Sequence, residues 1–159
     1  MLVLAVLDLV STLFPLCLSM NILCSDKHDA IRNKIEESGY SIVCLQETKI
    51  QNIDMPLIKK FAPCRFDKFD FVPSLGASGG ILVIWNSAAF LGITVDKCSF
   101  GLTIAFTSFL NFDTWKVTTV YGPCHDPADY DFVLWLCSYS IASDENWLFL
   151  GDYNFSNVP

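Results

Sequence analysis

Polar side chains follow four apolar segments of the sequence, at the point where each segment ends. Asn21 follows "LSM", Glu47 follows "IVCLQ", Tyr121 follows "VTTV", and Asp152 and Asn154 follow "LFLG". Layered folds of strands and helices gather their ligand-binding groups at the carboxyl ends of strands. These five residues are therefore the candidates for a binding or catalytic site, and its carboxylates are suited to hold a cation.

Each of these residues also has an ordinary structural explanation. A Gly-Asp-x-Asn sequence is commonly a turn in which the Asp or Asn side chain bonds to nearby backbone. Glu47 alone is typical of a solvated strand end or an ion pair, and Tyr121 of a core residue with a satisfied hydroxyl. Asn21 alone is typical of a helix cap. The functional interpretation therefore depends on the five residues lying together.

The composition favours one domain with a large core and lowers the expected affinity for nucleic acid. The 159 residues are 52% hydrophobic and 17% charged, with a net charge of −7, a pI of about 4.5 and a mean hydropathy of +0.41. One domain is usual at this length. Non-specific binding to nucleic acid needs Lys and Arg against phosphates, although an acidic site that holds a cation is compatible with an enzyme that acts on DNA.

The cysteines indicate free thiols, because their number is odd, no CxxC pair occurs and most lie in apolar runs. They are Cys17, Cys24, Cys44, Cys64, Cys98, Cys124 and Cys137. The pattern predicts buried thiols in a reducing, intracellular compartment, with neither a disulfide partner nor a zinc site. Of the two histidines, His28 is predicted on the surface of a helix and His125 in a solvated loop.

The first 20 residues, "MLVLAVLDLVSTLFPLCLSM", are almost entirely apolar. No Lys or Arg precedes the run, Asp8 interrupts it and Pro15 breaks it, which argues against a signal peptide or a membrane helix. We interpret residues 1–18 as an apolar extension leading into a buried strand. A membrane anchor formed by residues 1–20 is the alternative.

Periodicity and turn residues predict strands that alternate with helices. One helix is expected to be capped at its start by Ser25 or Asp26 and to end at Gly39, a short one to lie in residues 49–68, and another to start at Asp126 and Pro127. The predicted strands are "YSIVCLQET", residues 69–72, "ILVIW", "ITVDKCSF", the hairpin pair "LTIAFTSFL" and "TWKVTTVY", and "NWLFLG". Strands buried on both faces between helices indicate a layered α/β or α+β sandwich.

Several blocks of the sequence carry a family resemblance. "IRNKIEESGYSIVCLQETK", "GASGGILVIWN", "VYGPC" and "WLFLGDYN" resemble the endonuclease domain of plant non-LTR (LINE-type) retrotransposons, which belongs to the endonuclease/exonuclease/phosphatase superfamily. The resemblance runs from Ser19 to Asn154. It implies a four-layer sandwich of two mixed β-sheets with outer helices, of which residues 19–159 form an incomplete, N-terminal portion.

The resemblance also implies a role for each candidate residue in a metal-dependent phosphodiesterase that acts on DNA. Glu47 matches the carboxylate that holds Mg²⁺ or Mn²⁺, and Asp152 matches the acid that orients or activates the attacking water. Asn154 and Asn21 match amides that bind the phosphate. Tyr121 matches the phenol that donates to the scissile phosphate.

The sequence departs from the family pattern in two places. The family surrounds its first asparagine with a "WNxRG"-like segment, whereas Met20, Leu23 and Cys24 replace the Trp, Arg and Gly around Asn21. In the family, further strands, another acid and an Asp–His pair follow the Gly-Asp-x-Asn block. We therefore expect a chain truncated at Pro159, with an apolar sheet face open to self-association.

Three functions are compatible with these observations. The first is a truncated endonuclease-like phosphodiester hydrolase of retrotransposon origin, weak or inactive alone. The second is a non-catalytic binding or interaction module that keeps the fold and a cation. The third is a small membrane-anchored protein that uses residues 1–20.

Overall fold

The part of the chain that the structure, a computed structural model, describes contains strands and helices, with five successive strands in its middle. That part comprises residues 15–19, 21–22, 24–76, 78–123 and 128–154, without the side chains of 128 and 129. Its elements are β1 (Leu16–Ser19), α1 (His28–Ser38), β2 (Ile42–Gln46), α2 (Met55–Phe61), β3 (Lys68–Val72), β4 (Ile81–Trp85), β5 (Phe90–Cys98), β6 (Gly101–Ser108), β7 (Thr114–Tyr121), α3 (Ala128–Cys137) and β8 (Trp147–Asp152). The expected helix start at Asp126 and Pro127, and most of the N-terminal extension, lie outside these residues.

The strands form two mixed sheets of four strands each. Sheet 1 has the order β1-β2-β4-β3, and sheet 2 has the order β5-β6-β7-β8. In each sheet one neighbouring pair is parallel, β1 with β2 and β7 with β8, and the other pairs are antiparallel. The hairpin of β6 and β7 is as expected.

β2 shows why the chain folds into layers. Its five residues are all buried, and successive side chains of a strand point to opposite faces. Val43 and Leu45 join a core with α1 and α2, whereas Ile42 and Cys44 join the core between the two sheets. On the outer face of sheet 2, Trp135 of α3 lies where a side chain on Gly101 would be. The expected two-sheet α/β sandwich with outer helices is confirmed.

The end of α1 is confirmed, but its predicted cap is wrong. Gly39 takes a left-handed conformation, φ +67°, directly after the helix, as helix-ending glycines commonly do. At the other end, a 3₁₀ turn at Ser25–Lys27 precedes α1, and Lys27 occupies the cap position without a side-chain hydrogen bond. Ser25 and Asp26 are drawn into that turn, so neither can cap the helix.

The core between the sheets differs at its two ends. At one end, aromatic rings meet at centroid distances of 5.5–6.2 Å, mostly edge to face. These rings belong to Trp85, Phe90, Phe106 and Trp115. Toward the other end, where β2 and β7 finish, the fully buried Cys44 lies beside Thr119. Aromatic rings therefore separate the sheets at one end, whereas the small Cys44 and Thr119 lie between that cluster and Tyr121 at the end of β7.

β8 is half-buried along most of its length, whereas its apolar sequence predicts a strand buried on both faces. The difference arises because β8 is the last strand of sheet 2. Its outer-facing rings are covered by Tyr139, which packs edge to face on Trp147 and Phe149.

Apolar side chains are also exposed on β5, at the opposite edge of sheet 2: Leu91, Ile93 and Val95. The expected self-association through such a face stays a prediction.

The six cysteines among the described residues are free, but the expectation that they are buried is wrong for most of them. Cys44 is buried, while Cys24, Cys64 and Cys137 are exposed because they lie in loops or at a helix end. Burial raises the pKa of the Cys44 thiol to about 12. Among the described residues, no helix is long and apolar enough to cross a membrane. Residues 1–14, on which the membrane alternative mainly rests, are outside that range.

Candidate active site at the rim of the sandwich

The ends of β1 and β2 bring Asn21 and Glu47 to the same edge of sheet 1. The two strands are parallel, with Ser19 opposite Gln46, so the residues that follow both strands leave the sheet at one end. The Ser19 hydroxyl donates to Glu47 Oε2 over 3.5 Å. Sheet 1 therefore supplies an amide and a carboxylate at this edge.

The ends of β7 and β8 do the same for Tyr121 and Asp152 in sheet 2. These two residues are opposite each other in a parallel pair, so both side chains lie on the same face of the sheet. That face is the inner one, because Tyr121 belongs to the core between the sheets. Asp152 continues this face but is exposed, since it lies just beyond the core.

Contacts between the sheets show that both edges lie at one end of the sandwich. The backbone N–H groups of Thr48 and Lys49 donate to the carbonyls of Gly80 and Gly79, over 3.2 and 3.0 Å. Gly79 in turn faces the Tyr121 ring, which a Cβ at that glycine would approach to 3.7 Å. A continuous path of contacts thus runs from the Glu47 loop to Tyr121 and Asp152. We call Asn21, Glu47, Tyr121, Asp152 and Asn154 the rim.

Glu47 is held in an unusual backbone conformation. Its φ is +55°, and that of Lys49 is +58°, a region that few residues other than glycine adopt. The Lys49 ammonium lies 3.1 Å from Glu47 Oε1, and the Glu47 side chain is 38% exposed. Between them, Thr48 is fully buried. The carboxylate is therefore accessible to water and already paired with one cationic group.

Asp152 and Asn154 form the turn that the sequence leaves open as their structural explanation. Asp152 Oδ1 accepts a hydrogen bond from the Asn154 backbone N–H over 3.1 Å. Asn154 Nδ2 donates to the Gly122 carbonyl over 2.9 Å, and its φ is +46°. Gly151 lies against the Val120 backbone, leaving no space for a Cβ. The turn fixes both side chains at the end of β8 and leaves further donor and acceptor positions on each.

Asn21 and the histidines have different surroundings. Asn21 is half-buried, and it does not cap the following helical segment, whose cap positions are Cys24 and Lys27. His28 Nε2 lies 2.9 Å from the Ile22 carbonyl, and its ring packs on Phe61. His28 is therefore engaged in packing α1. Met20, Leu23 and His125 lie outside the described residues.

The oxygen groups of the rim suit a hard divalent cation. Mg²⁺ keeps several waters and uses one or two protein carboxylates together with substrate phosphates. Glu47 offers an accessible carboxylate that already attracts an ammonium group. Within the described ranges, no three His, Cys, Asp or Glu side chains converge as one metal site. The donor set therefore fits Mg²⁺ or Mn²⁺ held largely by water and substrate.

Sequence reasoning missed three contributors to this site: Lys49, Ser19 and the Gly79–Gly80 pair. Lys49 and Ser19 contact Glu47, and the glycines hold the loop that follows it. Two successive glycines directly before a buried strand are the signal in the sequence, since a simple turn rarely needs both. A shallow cavity of about 410 Å³ lies elsewhere, on the outer face of sheet 2 beside Ala105 and Lys116.

Comparison with known families identifies the family of this chain. Residues 18–157 match the endonuclease/exonuclease/phosphatase family. The chain belongs to the endonuclease/exonuclease/phosphatase family. A search of curated protein sequences found no match.

Solved structures share the fold of this family member at low sequence identity. The Xenopus laevis APE2 catalytic domain superposes with a TM-score of 0.61 at 16% identity, covering 91% of this chain and 59% of that one. An AP endonuclease from Archaeoglobus fulgidus gives 0.60 at 20% identity, with 91% and 58% covered. TDP2 from D. rerio, complexed with a single-strand DNA product, gives 0.56 at 14% identity, with 90% and 61% covered. The chain thus spans 58–61% of these three structures.

Proposed function

We propose that this chain carries part of the active site of a metal-dependent phosphodiester hydrolase that cuts DNA. The observation that carries the proposal is the convergence of Glu47 from sheet 1 and Tyr121 with Asp152 from sheet 2 at one rim. The membership of the family and the DNA-processing relatives support it.

Each rim residue has a part in this proposal. Glu47 holds the divalent cation, which when bound polarises a phosphoryl oxygen and offsets charge on the leaving group. Asp152 accepts a proton from the attacking water as the new P–O bond forms and the bond to the leaving oxygen breaks. The turn with Asn154 keeps one lone pair of Asp152 occupied and leaves its other oxygen for the water.

The neutral groups of the rim bind the phosphate. One side-chain N–H of Asn154 donates to the Gly122 carbonyl. Its second N–H donates to a non-bridging oxygen of the phosphate. Asn21 donates to the same group from the sheet 1 side, and the Tyr121 phenol donates to the scissile phosphate. Donors fixed in advance stabilise charge that develops in the transition state.

The origin of the domain is a finer part of the same proposal. The blocks "LQETK", "GASGGILVIWN" and "WLFLGDYN" support descent from the endonuclease of plant LINE-type retrotransposons. A net charge of −7 weakens attraction to DNA, so we expect slow cleavage that is fastest at low salt.

The test is nicking of supercoiled plasmid by the purified chain with Mg²⁺ or Mn²⁺ at low salt. We expect slow nicking that a chelator stops. Asp152→Ala should reduce the rate by about 10²- to 10⁴-fold, the usual loss for a general base, and Glu47→Gln should leave only the rate that wild type shows with the chelator. Asp131→Asn, on an exposed position of α3, is the matched control and should keep the wild-type rate. Nicking that survives both chelator and Asp152→Ala would refute the proposal.

A second candidate is a cation-binding module without catalysis, favoured by the position of His28. That residue is engaged with Ile22 and Phe61 in the packing of α1 and does not complete an Asp–His pair at the rim. This candidate predicts calorimetric binding of Mn²⁺ that Glu47→Gln removes, without any nicking above the Asp152→Ala background. Absence of binding in the millimolar range would count against it.

A further inference from the structure

The Glu47–Lys49 ion pair is a feature that stability does not explain. Both side chains face water, 38% exposed for Glu47 and 32% for Lys49, and exposed ion pairs contribute little to folding. Both residues nevertheless adopt positive φ values, +55° and +58°. Such conformations are unfavourable and persist where the surrounding structure imposes them, often at functional sites.

The surrounding structure does impose this conformation. The N–H groups of Thr48 and Lys49 are held by the carbonyls of Gly80 and Gly79, and Ser74 N–H is held by the carbonyl of Ile50. Thr48, between the two charged residues, is fully buried. The loop backbone is therefore fixed on both sides of Lys49. That arrangement keeps the ammonium group within reach of the Glu47 carboxylate and of the rim.

The ammonium group and a divalent cation need the same acceptor. Lys49 Nζ lies against Glu47 Oε1, and Oε2 receives a long hydrogen bond from Ser19. Two cations on one exposed carboxylate repel each other, so binding of one displaces the other. A displaced lysine has a flexible four-carbon stem and behaves as a movable point charge, which suits it to bind phosphate.

We infer that Lys49 is a substrate-binding residue that exchanges partners. It pairs with Glu47, gives way when a divalent cation binds that carboxylate, and then contacts a phosphate of the DNA backbone. This inference rests on the proposed function and adds a specific residue to it. Because the rim carries Asp152 as well as Glu47, a mobile positive charge also lowers the repulsion that an incoming phosphate meets.

The experiment measures two affinities whose changes should have opposite signs. In calorimetry with MnCl₂, Lys49→Met should bind Mn²⁺ about two- to five-fold more tightly than wild type, the range expected for loss of an exposed ion pair. In fluorescence anisotropy with a single-stranded oligonucleotide and Ca²⁺, the same variant should bind about ten-fold more weakly, as for loss of a charged hydrogen bond. Lys49→Arg should restore DNA binding.

The controls separate this inference from the proposed function. Lys34→Met removes the same charge from an exposed position of α1, and both affinities should stay within two-fold of wild type. Unchanged Mn²⁺ affinity in Lys49→Met, with binding still lost in Glu47→Gln, would overturn the inference and leave the proposed function intact. Weaker binding of both ligands in Lys49→Met would show a structural role and also overturn it. If Glu47→Gln still binds both Mn²⁺ and the oligonucleotide, the proposed function itself would be overturned.

Discussion

Two ion pairs, one between the edge strands β3 and β5 and one in the loop after β2, differ in how completely their carboxylates are bonded. Asp70 of β3 accepts hydrogen bonds from Lys97, from the Thr94 hydroxyl at 2.6 Å and from the Phe71 N–H at 2.7 Å. Glu47 has the Lys49 ammonium at 3.1 Å and a hydroxyl at 3.5 Å. The first carboxylate is saturated and joins two sheets. The second is open and lies in a local loop.

The backbone beneath the two pairs differs in the same sense. Asp70 lies on β3 and Lys97 on β5, just after a bulge between Thr94 and Asp96, and neither residue has a positive φ. Glu47 and Lys49 lie on left-handed backbone after a strand ends. A saturated pair on relaxed backbone contributes to folding, whereas an open pair on constrained backbone is suited to exchange ligands. The number of hydrogen bonds that a carboxylate already accepts, more than the presence of an ion pair, separates a structural acid from one that is open to a ligand.

The largest loss of stability is expected from a substitution of Gly80, whose carbonyl holds the Thr48 N–H in the loop of the open pair. A Cβ on Gly80 would lie 2.3 Å from Thr48 Oγ1, and the φ of Gly80 is +91°. Gly80→Ala combines overpacking with an unfavourable backbone conformation and should lower the free energy of unfolding by about 3 kcal/mol. Urea denaturation measures this. Gly76→Ala, where φ is also positive but nothing lies within 4 Å, should lose only about 1 kcal/mol. Equal losses of stability in the two variants would contradict the close approach of Gly80 to Thr48.

A smaller effect is expected from the saturated pair. Partial burial alone would raise the pKa of Asp70, but the hydrogen bonds from Lys97, Thr94 and Phe71 together outweigh it and lower the pKa. Asp70→Asn should therefore lose about 1 kcal/mol at pH 7, a modest value because solvent screens the pair. A depressed carboxyl pKa contributes stability above its unfolded value, near 4, and loses it as the pH falls through the folded value. The difference from wild type should thus shrink by pH 3 in urea titrations.

The smallest effect on stability is expected from the open pair itself. Glu47→Gln should change the free energy of unfolding by no more than about 0.5 kcal/mol, because the pair is exposed and local. The same variant should lose Mn²⁺ binding in calorimetry. A stability loss as large as that of Asp70→Asn would erase the distinction between the two pairs.

The sequence predicts the strands and the general place of the candidate residues better than their contacts. "IVCLQ" is a buried strand because both of its faces are apolar, and Gly39 ends α1 because it can adopt a left-handed conformation. Those properties are local. Assigning Glu47, Tyr121 and Asp152 to strand ends requires only the same local reading together with the resemblance.

The features of the fold and the candidate site that the sequence does not predict depend on contacts between residues distant in the sequence. The half-burial of β8 follows from its edge position, which no single segment encodes. The segment "PSLGASGG", residues 73–80, predicts a turn, but the hydrogen bonds from Thr48 and Lys49 to Gly80 and Gly79 bring together residues about 30 positions apart. Lys49 itself looks like an ordinary surface lysine until the loop conformation is known.

The packing of the core between the two sheets has a consequence for the proposed chemistry. Glu47 is attached to one sheet and Asp152 to the other, so the side chains between the sheets act as a spacer that sets the gap between the two acids, and in the proposed reaction both reach a phosphate across it. At that gap the spacer includes Tyr121, and directly behind it lie the small Cys44 and Thr119. Enlarging Thr119 would push the two acids apart without touching either, so the interior of the protein tunes its reach.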